Sequence, residues 1–181
     1  MKLKELNLKG AYEISLHAFE DLRGDFVKIF HAGNFKQHGL HHDFKESYYS
    51  TSKRGVIRGM HFQTPPFHHS KLVYAVEGEV LDVLLDLRKN SPTYLQHCTV
   101  ELSKQNRNAV YIPAGLAHGF AVTTESATLV YMATTVYHKE SDTGVLWNSF
   151  GFNWPVENPL ISERDQSFMQ LKEFESPFNY Q

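Results

Sequence analysis

The segment RGMHFQTPPFHHSK, residues 58–71, concentrates groups that can bind a metal ion or move a proton. It contains an arginine, three histidines and a lysine within fourteen positions. Histidines at such density are typical of metal sites, because imidazole is the commonest metal ligand in proteins. A histidine beside a fixed cation can instead abstract a proton next to a carbonyl group. The segment is therefore consistent with two kinds of chemistry, metal coordination and proton transfer.

The case for a metal depends on a second segment, IPAGLAHGF at residues 112–120. Its proline, glycine and histidine have the spacing of the second motif of cupins, which are small double-stranded β-helix proteins. A metal cupin has two histidines separated by one residue in its first motif, whereas here Gln63 follows His61 at that spacing. The ammonium group of Lys71 only donates hydrogen bonds and repels a cation. We therefore predict the cupin shape with neither a metal ion nor another cofactor.

Proton transfer needs a base, a group that stabilises the enolate and, for inversion, an acid on the other face. His61 is the natural base near neutral pH, and Lys71 could stabilise the enolate oxygen. Asp165 could fix the tautomer of the imidazole, although sequence spacing alone does not bring them together. In TLVYMATTVYHK, Tyr131 and Tyr137 share strand parity, so both can face one cavity. Both tyrosines could equally be core residues with hydrogen-bonded hydroxyl groups.

The remaining histidines are given no role. His68 and His69 are adjacent, so in a strand they would point to opposite faces, and we expect them near the cavity rim as bystanders. The others are expected in loops or on the surface, and they are His17, His31, His38, His41, His42, His97 and His138.

The composition of the 181 residues is ordinary for a globular protein, with 41% hydrophobic residues, 21% charged residues and a net charge of −2. The length predicts a single domain, residues 1–181, and the near-neutral charge argues against nucleic-acid binding. Cys98 is the one cysteine, so no internal disulfide bond is expected, and its strand-like neighbours predict a buried side chain. An apolar signal region and bilayer-length stretches are both absent, which predicts a cytoplasmic protein that does not bind a membrane.

Short apolar runs punctuated by turns predict a chain built mainly of strands. KLVYAV and VLDVLLDL are predicted to be two strands joined by a tight turn at residues 77–78, and in the second strand Asp82 and Asp86 alternate with an apolar face. Further strands are predicted in LQHCTVELS, AVYIP and GFAVTTESATLVYMATTVY. Strands at this spacing favour a β-sandwich or barrel over βαβ units. One helix is predicted after SERD at 162–165, which has a capping-box pattern, and another short one at 33–38.

Taken together, these segments resemble one family. DLRGDF, RGVIRGMHFQTPP, KLVYAVEGEVLDVLLDLRKNSPTY, IPAGLAHGF, YMATTVYHKESDTGVLWNSFGFNWP and PLISERD are similar, in order and spacing, to the dTDP-4-dehydrorhamnose 3,5-epimerases. The resemblance runs from about residue 10 to residue 170. It implies an all-β, cupin-type jelly-roll sandwich with a short C-terminal helix, metal-free and homodimeric. The implied reaction is epimerisation at C3 and C5 of a nucleotide-linked 4-keto-6-deoxy sugar, on the way to L-rhamnose and related deoxysugars.

The resemblance also implies roles for individual catalytic residues. On the matching positions, His61 would be the base and Asp165 its partner. Tyr131 would be the acid on the other face of the sugar. Lys71 would stabilise the enolate.

A second set of positions resembles the substrate contacts of the family. Arg58 and His118 would lie close to the reacting carbons, Arg23 would contact the phosphates, and Tyr137 would stack on the nucleotide base. The complete set of implied substrate-binding residues is Arg23, Lys28, Glu46, Tyr48, Arg58, Gln63, His118, Tyr137, Asp142 and Arg164.

Three of these positions depart from the family pattern. Lys28 stands where the family usually has glutamate, and Glu46 and Tyr48 stand where it usually has glutamine and asparagine. Lys28 and Glu46 could form a charge pair of exchanged sign, since opposite charges in contact are tolerated. Because these positions belong to the nucleotide end, the nucleotide (dTDP, GDP, UDP or CDP) and the 4-keto sugar stay open, as does the choice of C3, C5 or both.

Arg58 and His61 have opposite parity in a regular strand, although the resemblance implies that both line the site. The strand must therefore break register between them, and Gly59 is the obvious position for a bulge or kink. An unbroken ladder over residues 56–63 would contradict this prediction.

Two other functions are compatible with the sequence. A sugar-nucleotide 3,4-ketoisomerase of the same fold would use the same enolisation chemistry, but it can work from one face of the sugar. A metal-dependent cupin would bind a metal ion at His61 and His118, and a purely binding cupin would be inert toward every 4-keto sugar nucleotide. A tyrosine opposite His61 therefore favours epimerisation.

Overall fold

Residues 1–180, which the computed structural model describes, form thirteen strands, two short α-helices and one 3-10 turn. The strands are β1 Lys2–Glu5, β2 Tyr12–Ser15, β3 His17–Asp21, β4 Gly24–Lys28, β5 Glu46–Lys53, β6 Ile57–Gln63, β7 Lys71–Glu77, β8 Glu79–Asp86, β9 His97–Ser103, β10 Asn108–Ile112, β11 Leu116–Val122, β12 Ser126–Ala133 and β13 Asp142–Gly144. The helices are α1 Ala32–Gln37 and α2 Glu163–Gln166, and the 3-10 turn is Leu171–Glu173.

Two antiparallel sheets form a sandwich. One has the strand order β1-β2-β10-β7-β12-β5 and the other β13-β6-β11-β8-β9, while β3 and β4 pair as a separate hairpin. Alternate residues of both sheets meet in a shared interior that includes Val73, Leu84, Phe120 and Leu129. This is the predicted all-β, cupin-type jelly roll, and that prediction is confirmed.

The turn at residues 77–78 joins strands of different sheets. β7 belongs to the six-stranded sheet and β8 to the five-stranded one, so the turn carries the chain across the sandwich and does not close a hairpin. Gly78 has a φ of +67°, and a Cβ there would lie 2.0 Å from the carbonyl oxygen of Ser126. Only glycine fits this crossing.

Strand β8 is buried on both faces, so the expectation of a single apolar face was wrong. Leu84 packs in the interior between the sheets, while Val83 and Leu85 pack in a second core on the outer face. Phe178, from the C-terminal segment, helps to cover that outer face. Asp82 lies on the inner face without any solvent exposure, and it therefore needs a polar partner inside the protein.

Strand β6 contains the predicted register break. His61 pairs with His118 of β11, but Arg58 pairs with Phe120, so Gly59 and Met60 together stand opposite one residue. Gly59 has a φ of +140°, and a Cβ there would lie 2.5 Å from the Cα of Gly119. The bulge lets Arg58 and His61 point to the same side despite their opposite parity.

The two predicted helices are present, but the C-terminal one is a single turn. Helix α1 occupies residues 32–37 and buries Phe35. Helix α2 begins after Ser162, whose hydroxyl accepts a hydrogen bond from the backbone N–H of Asp165 at 3.1 Å, as the capping pattern predicts. The Asp165 carboxylate does not return to the cap and extends to β6. Within residues 1–180, none of the helices has both the length and the apolar character that a membrane span requires.

Candidate active site

A cavity of about 320 Å³ lies between the two sheets and is lined by strands β5, β6, β7, β11 and β12. Eleven of the fourteen residues predicted for the site line it. They are Glu46, Tyr48, Arg58, His61, Gln63, Lys71, His118, Tyr131, Tyr137, Asp142 and Arg164. Asp165 lies behind His61, whereas Arg23 and Lys28 lie elsewhere.

His61 and Asp165 form a hydrogen-bonded pair. Nε2 of His61 lies 2.8 Å from Oδ1 of Asp165, so the ring nitrogen donates to the carboxylate. Burial lowers the pKa of His61, and the nearby Asp165 only partly opposes this effect. The imidazole is therefore neutral near pH 7, with its proton on Nε2. Nδ1 has no hydrogen-bond partner in the described chain and is left as the basic nitrogen.

Asp165 is held in its ionised form by several donors. Burial alone would raise its pKa, but hydrogen bonds from His61, the backbone N–H of Gly59 and Ser162 outweigh burial, and the pKa is lowered. The Gly59 N–H donates to Oδ2 at 3.0 Å. The same bulge that turns Arg58 and His61 to one side thus supplies a donor to the carboxylate that orients His61.

Tyr131 faces His61 from the opposite sheet. It lies on β12, its hydroxyl is 3.1 Å from Oγ of Ser50, and its ring stacks on Tyr48 with centroids 4.8 Å apart. Burial raises the pKa of Tyr131, so the phenol is protonated at neutral pH and can give up a proton to a strong carbanion-like centre.

Tyr137 lines the cavity for a reason other than the predicted one. β12 ends at Ala133, so strand parity does not extend from Tyr131 to Tyr137. Its backbone N–H donates to Oε2 of Glu46 at 2.6 Å, which fixes the segment, and its side chain is exposed at the cavity mouth.

Lys71 is a buried cation that points at the cavity. It is 8% exposed and forms no ion pair within residues 1–180. Burial lowers its pKa to about 8, and Asp142 and Asp82 act in the opposite direction. An ammonium group without a carboxylate partner is placed to stabilise an oxygen that becomes negative.

The structure adds a second histidine–aspartate pair that the sequence had not indicated. Nε2 of His118 lies 2.7 Å from Oδ2 of Asp82, and both side chains are buried. Asp82 was predicted only as a polar position on β8. Its buried location follows from the coverage of both faces of this strand, which the alternation in the sequence did not reveal.

Gln63 lines the cavity, yet protein groups engage its amide. Nε2 donates to the carbonyl oxygen of Phe67 at 2.8 Å, and Oε1 accepts from the backbone N–H of His138 at 2.7 Å. Nε2 also lies 3.1 Å from Nδ1 of His69. His69 was expected at the rim, but it lies in the cavity wall, where burial lowers its pKa to about 3.

The remaining predicted contacts lie around the opening of the cavity. Arg58 donates from Nε to Oγ of Ser52 at 2.9 Å, which holds its guanidinium beside β5. Arg164 pairs with Asp142 at 2.6 Å. Both arginines thus have fixed positions before any substrate is bound.

Arg23 and Lys28 lie outside this cavity, on the β3–β4 hairpin. The side chain of Arg23 is 89% exposed and pairs with Asp21 in the same turn. Lys28 lies at the end of β4 and makes no ion pair with Glu46 in the described chain, where Glu46 instead accepts from Tyr137. The charge pair of exchanged sign suggested by the sequence is therefore not formed within one chain.

Within residues 1–180, no group of three or more His, Cys, Asp and Glu side chains is arranged to hold a metal ion. His61 and His118 each use Nε2 in a hydrogen bond to a carboxylate, so neither Nε2 is available as a metal ligand.

A neutral histidine, a tyrosine on the facing sheet and a lysine ammonium in one jelly-roll cavity are the groups that an isomerase working by enolisation needs. The chain belongs to the dTDP-4-dehydrorhamnose 3,5-epimerase family, whose model matches residues 5–173.

Individual relatives support this assignment. The chain is 40% identical over 172 residues to a dTDP-4-dehydrorhamnose 3,5-epimerase of Methanothermobacter thermautotrophicus, with 92% of each chain covered. It is 36% identical over 176 residues to a dTDP-4-dehydrorhamnose 3-epimerase of Streptomyces niveus, covering 96% of this chain and 85% of the relative. A Legionella pneumophila 3,5-epimerase, solved in complex with dTDP-4-keto-L-rhamnose, has a TM-score of 0.95, 31% identity and coverage of 99% and 98%.

Proposed function

We propose that the protein epimerises C3, C5 or both in a nucleotide-linked 4-keto-6-deoxy sugar, of the type that converts dTDP-4-dehydro-6-deoxy-glucose to dTDP-4-dehydrorhamnose. The reaction would belong to deoxysugar and L-rhamnose biosynthesis and would need no metal or other cofactor. The observation that carries the proposal is the placement of His61 and Tyr131 on opposite sheets, facing one cavity. Inversion of a carbon needs a base and an acid on opposite faces.

The first step is proton abstraction. Nδ1 of His61 takes a proton from the carbon next to the keto group, and the electron pair of that C–H bond moves into the carbonyl group to give an enolate. The Nε2–H···Asp165 bond orients the ring and stabilises the imidazolium that forms. The ammonium of Lys71 stabilises the negative oxygen of the enolate.

The second step is proton return from the other side. The Tyr131 hydroxyl protonates the same carbon on the face opposite His61, which inverts the centre and restores the ketone. Proton exchange with water then returns Tyr131 and His61 to their starting states. The balance of the reaction needs no oxidant, because the substrate and product are isomers.

Relatives support the choice of substrate class. The Legionella enzyme is described in complex with dTDP-4-keto-L-rhamnose, and the Streptomyces niveus relative is named a 3-epimerase. Within this proposal, a dTDP-linked 4-keto sugar is the expected substrate, and epimerisation at C3 alone is an outcome that the experiment must distinguish from epimerisation at both carbons.

We further propose that the protein is a homodimer. Each chain would form a single domain, residues 1–181, and the protein would be located in the cytoplasm. The β3–β4 hairpin supports a dimer, because it exposes Phe19, Leu22 and Phe26 beside Arg23. A second copy would cover these apolar side chains. Light scattering after size-exclusion chromatography should give twice the mass of the chain, and Leu22→Asp should reduce that mass.

Incubation with 4-keto-6-deoxy sugars linked to dTDP, GDP, UDP and CDP in deuterated water tests the reaction. We expect NMR to show deuterium at C3, C5 or both, together with inverted product. A keto group that has moved to C3 would identify a 3,4-ketoisomerase. Stoichiometric iron, zinc or manganese bound through His61 and His118 would identify a metal cupin, and inertness toward all four nucleotides would contradict the proposal.

A further inference from the structure

The two histidine–aspartate pairs differ in how their carboxylates are held. The Asp165 carboxylate accepts hydrogen bonds from His61 and from the backbone N–H of Gly59. Asp82 has no solvent exposure and accepts from His118 through Oδ2. Its other oxygen, Oδ1, is buried and has no hydrogen-bond partner within residues 1–180.

This difference bears on the charge of the histidine that each carboxylate contacts. A buried carboxylate is costly unless donors or an opposite charge compensate it. Asp165 has enough donors to remain ionised beside a neutral imidazole. Within residues 1–180, His118 is the hydrogen-bond partner of Asp82, so an ionised Asp82 is balanced by a contact only if His118 is an imidazolium.

Among the residues that the structure describes, no other cationic side chain makes an ion pair with Asp82. The charge of Asp82 raises, through space, the pKa of Lys71 on β7, Tyr131 on β12 and Cys98 on β9. Tyr131 and Cys98 are neutral because burial raises the pKa of each, that of Cys98 to about 12. Arg58 of β6 also faces this cavity, but it is bonded to Ser52.

We propose that Asp82 is a positioning residue that keeps His118 as a cationic hydrogen-bond donor, whereas Asp165, which has a further donor, orients His61 through Nε2–H and leaves Nδ1 as an acceptor. The inference rests on the proposed epimerisation, in which a cationic donor beside Lys71 would further stabilise the enolate oxygen. His61 on β6 and His118 on β11 lie opposite each other in the sheet. In this proposal one of these two histidines is neutral and the other is cationic. Nδ1–H of His118 would add to Lys71 a second donor for the oxygen that becomes negative.

The charge of each ring can be measured directly on the full-length protein with ¹⁵N-labelled histidine. At pH 7 we expect both nitrogens of His118 to be protonated, and His61 to be protonated on one nitrogen only. In Asp82→Asn, which preserves the size of the side chain, one nitrogen of His118 should lose its proton while the spectrum of His61 is unchanged. A neutral His118 in the unmodified protein would overturn the proposal, and this result does not depend on activity or on the folding of any variant.

Kinetics give a second readout. Asp82→Asn should lower kcat about 10–100-fold with little change in KM, as loss of an orienting partner does elsewhere. The matched control is Asp86→Asn, another buried aspartate on β8, which binds Arg88, Ser91 and Thr93 and not a cavity residue. It should lower the melting temperature but leave the charge of His118 unchanged. Loss of the His118 charge in both variants would contradict a specific role of Asp82. If the unmodified protein failed to epimerise any 4-keto sugar, the proposed function would be contradicted, but the NMR result on His118 would still hold.

Discussion

The inner end of the cavity and the β3–β4 hairpin are built in different ways. His61, Lys71 and Tyr131 project from strands that are packed between two sheets, and their partners are other buried groups of the same chain. Arg23 projects from a two-stranded hairpin and pairs only with Asp21 beside it. A single chain therefore assembles the proposed proton-transfer chemistry completely, while the predicted phosphate contact needs something beyond the fold of one sandwich.

The most severe test of this comparison is His61→Ala. Because His61→Ala removes the Nδ1 that takes the proton in the proposed mechanism, deuterium incorporation into a 4-keto sugar nucleotide should fall about 10³-fold or more. His17→Ala, which alters an exposed histidine on the hairpin, is the matched control and should leave the rate unchanged. If exchange persisted in His61→Ala, the inner cavity would not contain the base that the comparison requires.

Tyr131→Phe should separate the two proton-transfer steps. It removes the hydroxyl but keeps the ring that stacks on Tyr48. We expect formation of inverted product to fall about 10²-fold, while deuterium exchange from the His61 face falls much less. NMR of the same sample measures both quantities. Equal losses of exchange and inversion would mean that Tyr131 acts before or during proton abstraction, and that it is not the acid on the opposite face.

The same buried positions explain what the sequence could and could not predict. Strand alternation and turn residues were sufficient to predict the β-sandwich. The opposite parity of Arg58 and His61 was sufficient to predict the bulge at Gly59. The contact between His61 and Asp165 spans more than a hundred positions and was expected only from the family resemblance. Local sequence patterns do not specify such a pairing, because it depends on how the C-terminal segment packs on β6.

Two predictions from the sequence were wrong for a different physical reason. Asp82 looked like a position on a polar face because alternation in β8 does not reveal whether a second layer covers it. Lys28 and Glu46 were suggested as a charge pair because their charges are exchanged relative to the family pattern. The sequence at these two positions does not indicate how far apart the two side chains lie in the fold. Burial can be inferred from an apolar pattern, whereas the partner of a buried or exposed charge depends on the complete packing.

The pH dependence of the inner cavity should be bell-shaped. The acid limb should lie below 6.5, since burial lowers the pKa of His61 and the base stays neutral to lower pH. The alkaline limb should lie near 8, where Lys71 loses its charge. Lys71→Arg keeps a cation that does not titrate in this range, so it should remove the alkaline limb whatever its remaining rate. An alkaline limb that survives in Lys71→Arg would assign it to another group.

Arg23→Ala should give the smallest effect of these substitutions. The guanidinium is exposed, so a contact with a phosphate would be screened by solvent and should change KM only about fivefold, with kcat unchanged. Arg54→Ala removes the same charge from an exposed turn between β5 and β6 and should change neither constant. The effect of Arg23→Ala should also weaken as salt is added, because the Debye length shortens. A fall in kcat as large as that of His61→Ala would show that the hairpin helps to position the reacting carbons. The chemistry would then not be confined to the buried inner end of the cavity, and the hairpin would not serve in binding alone.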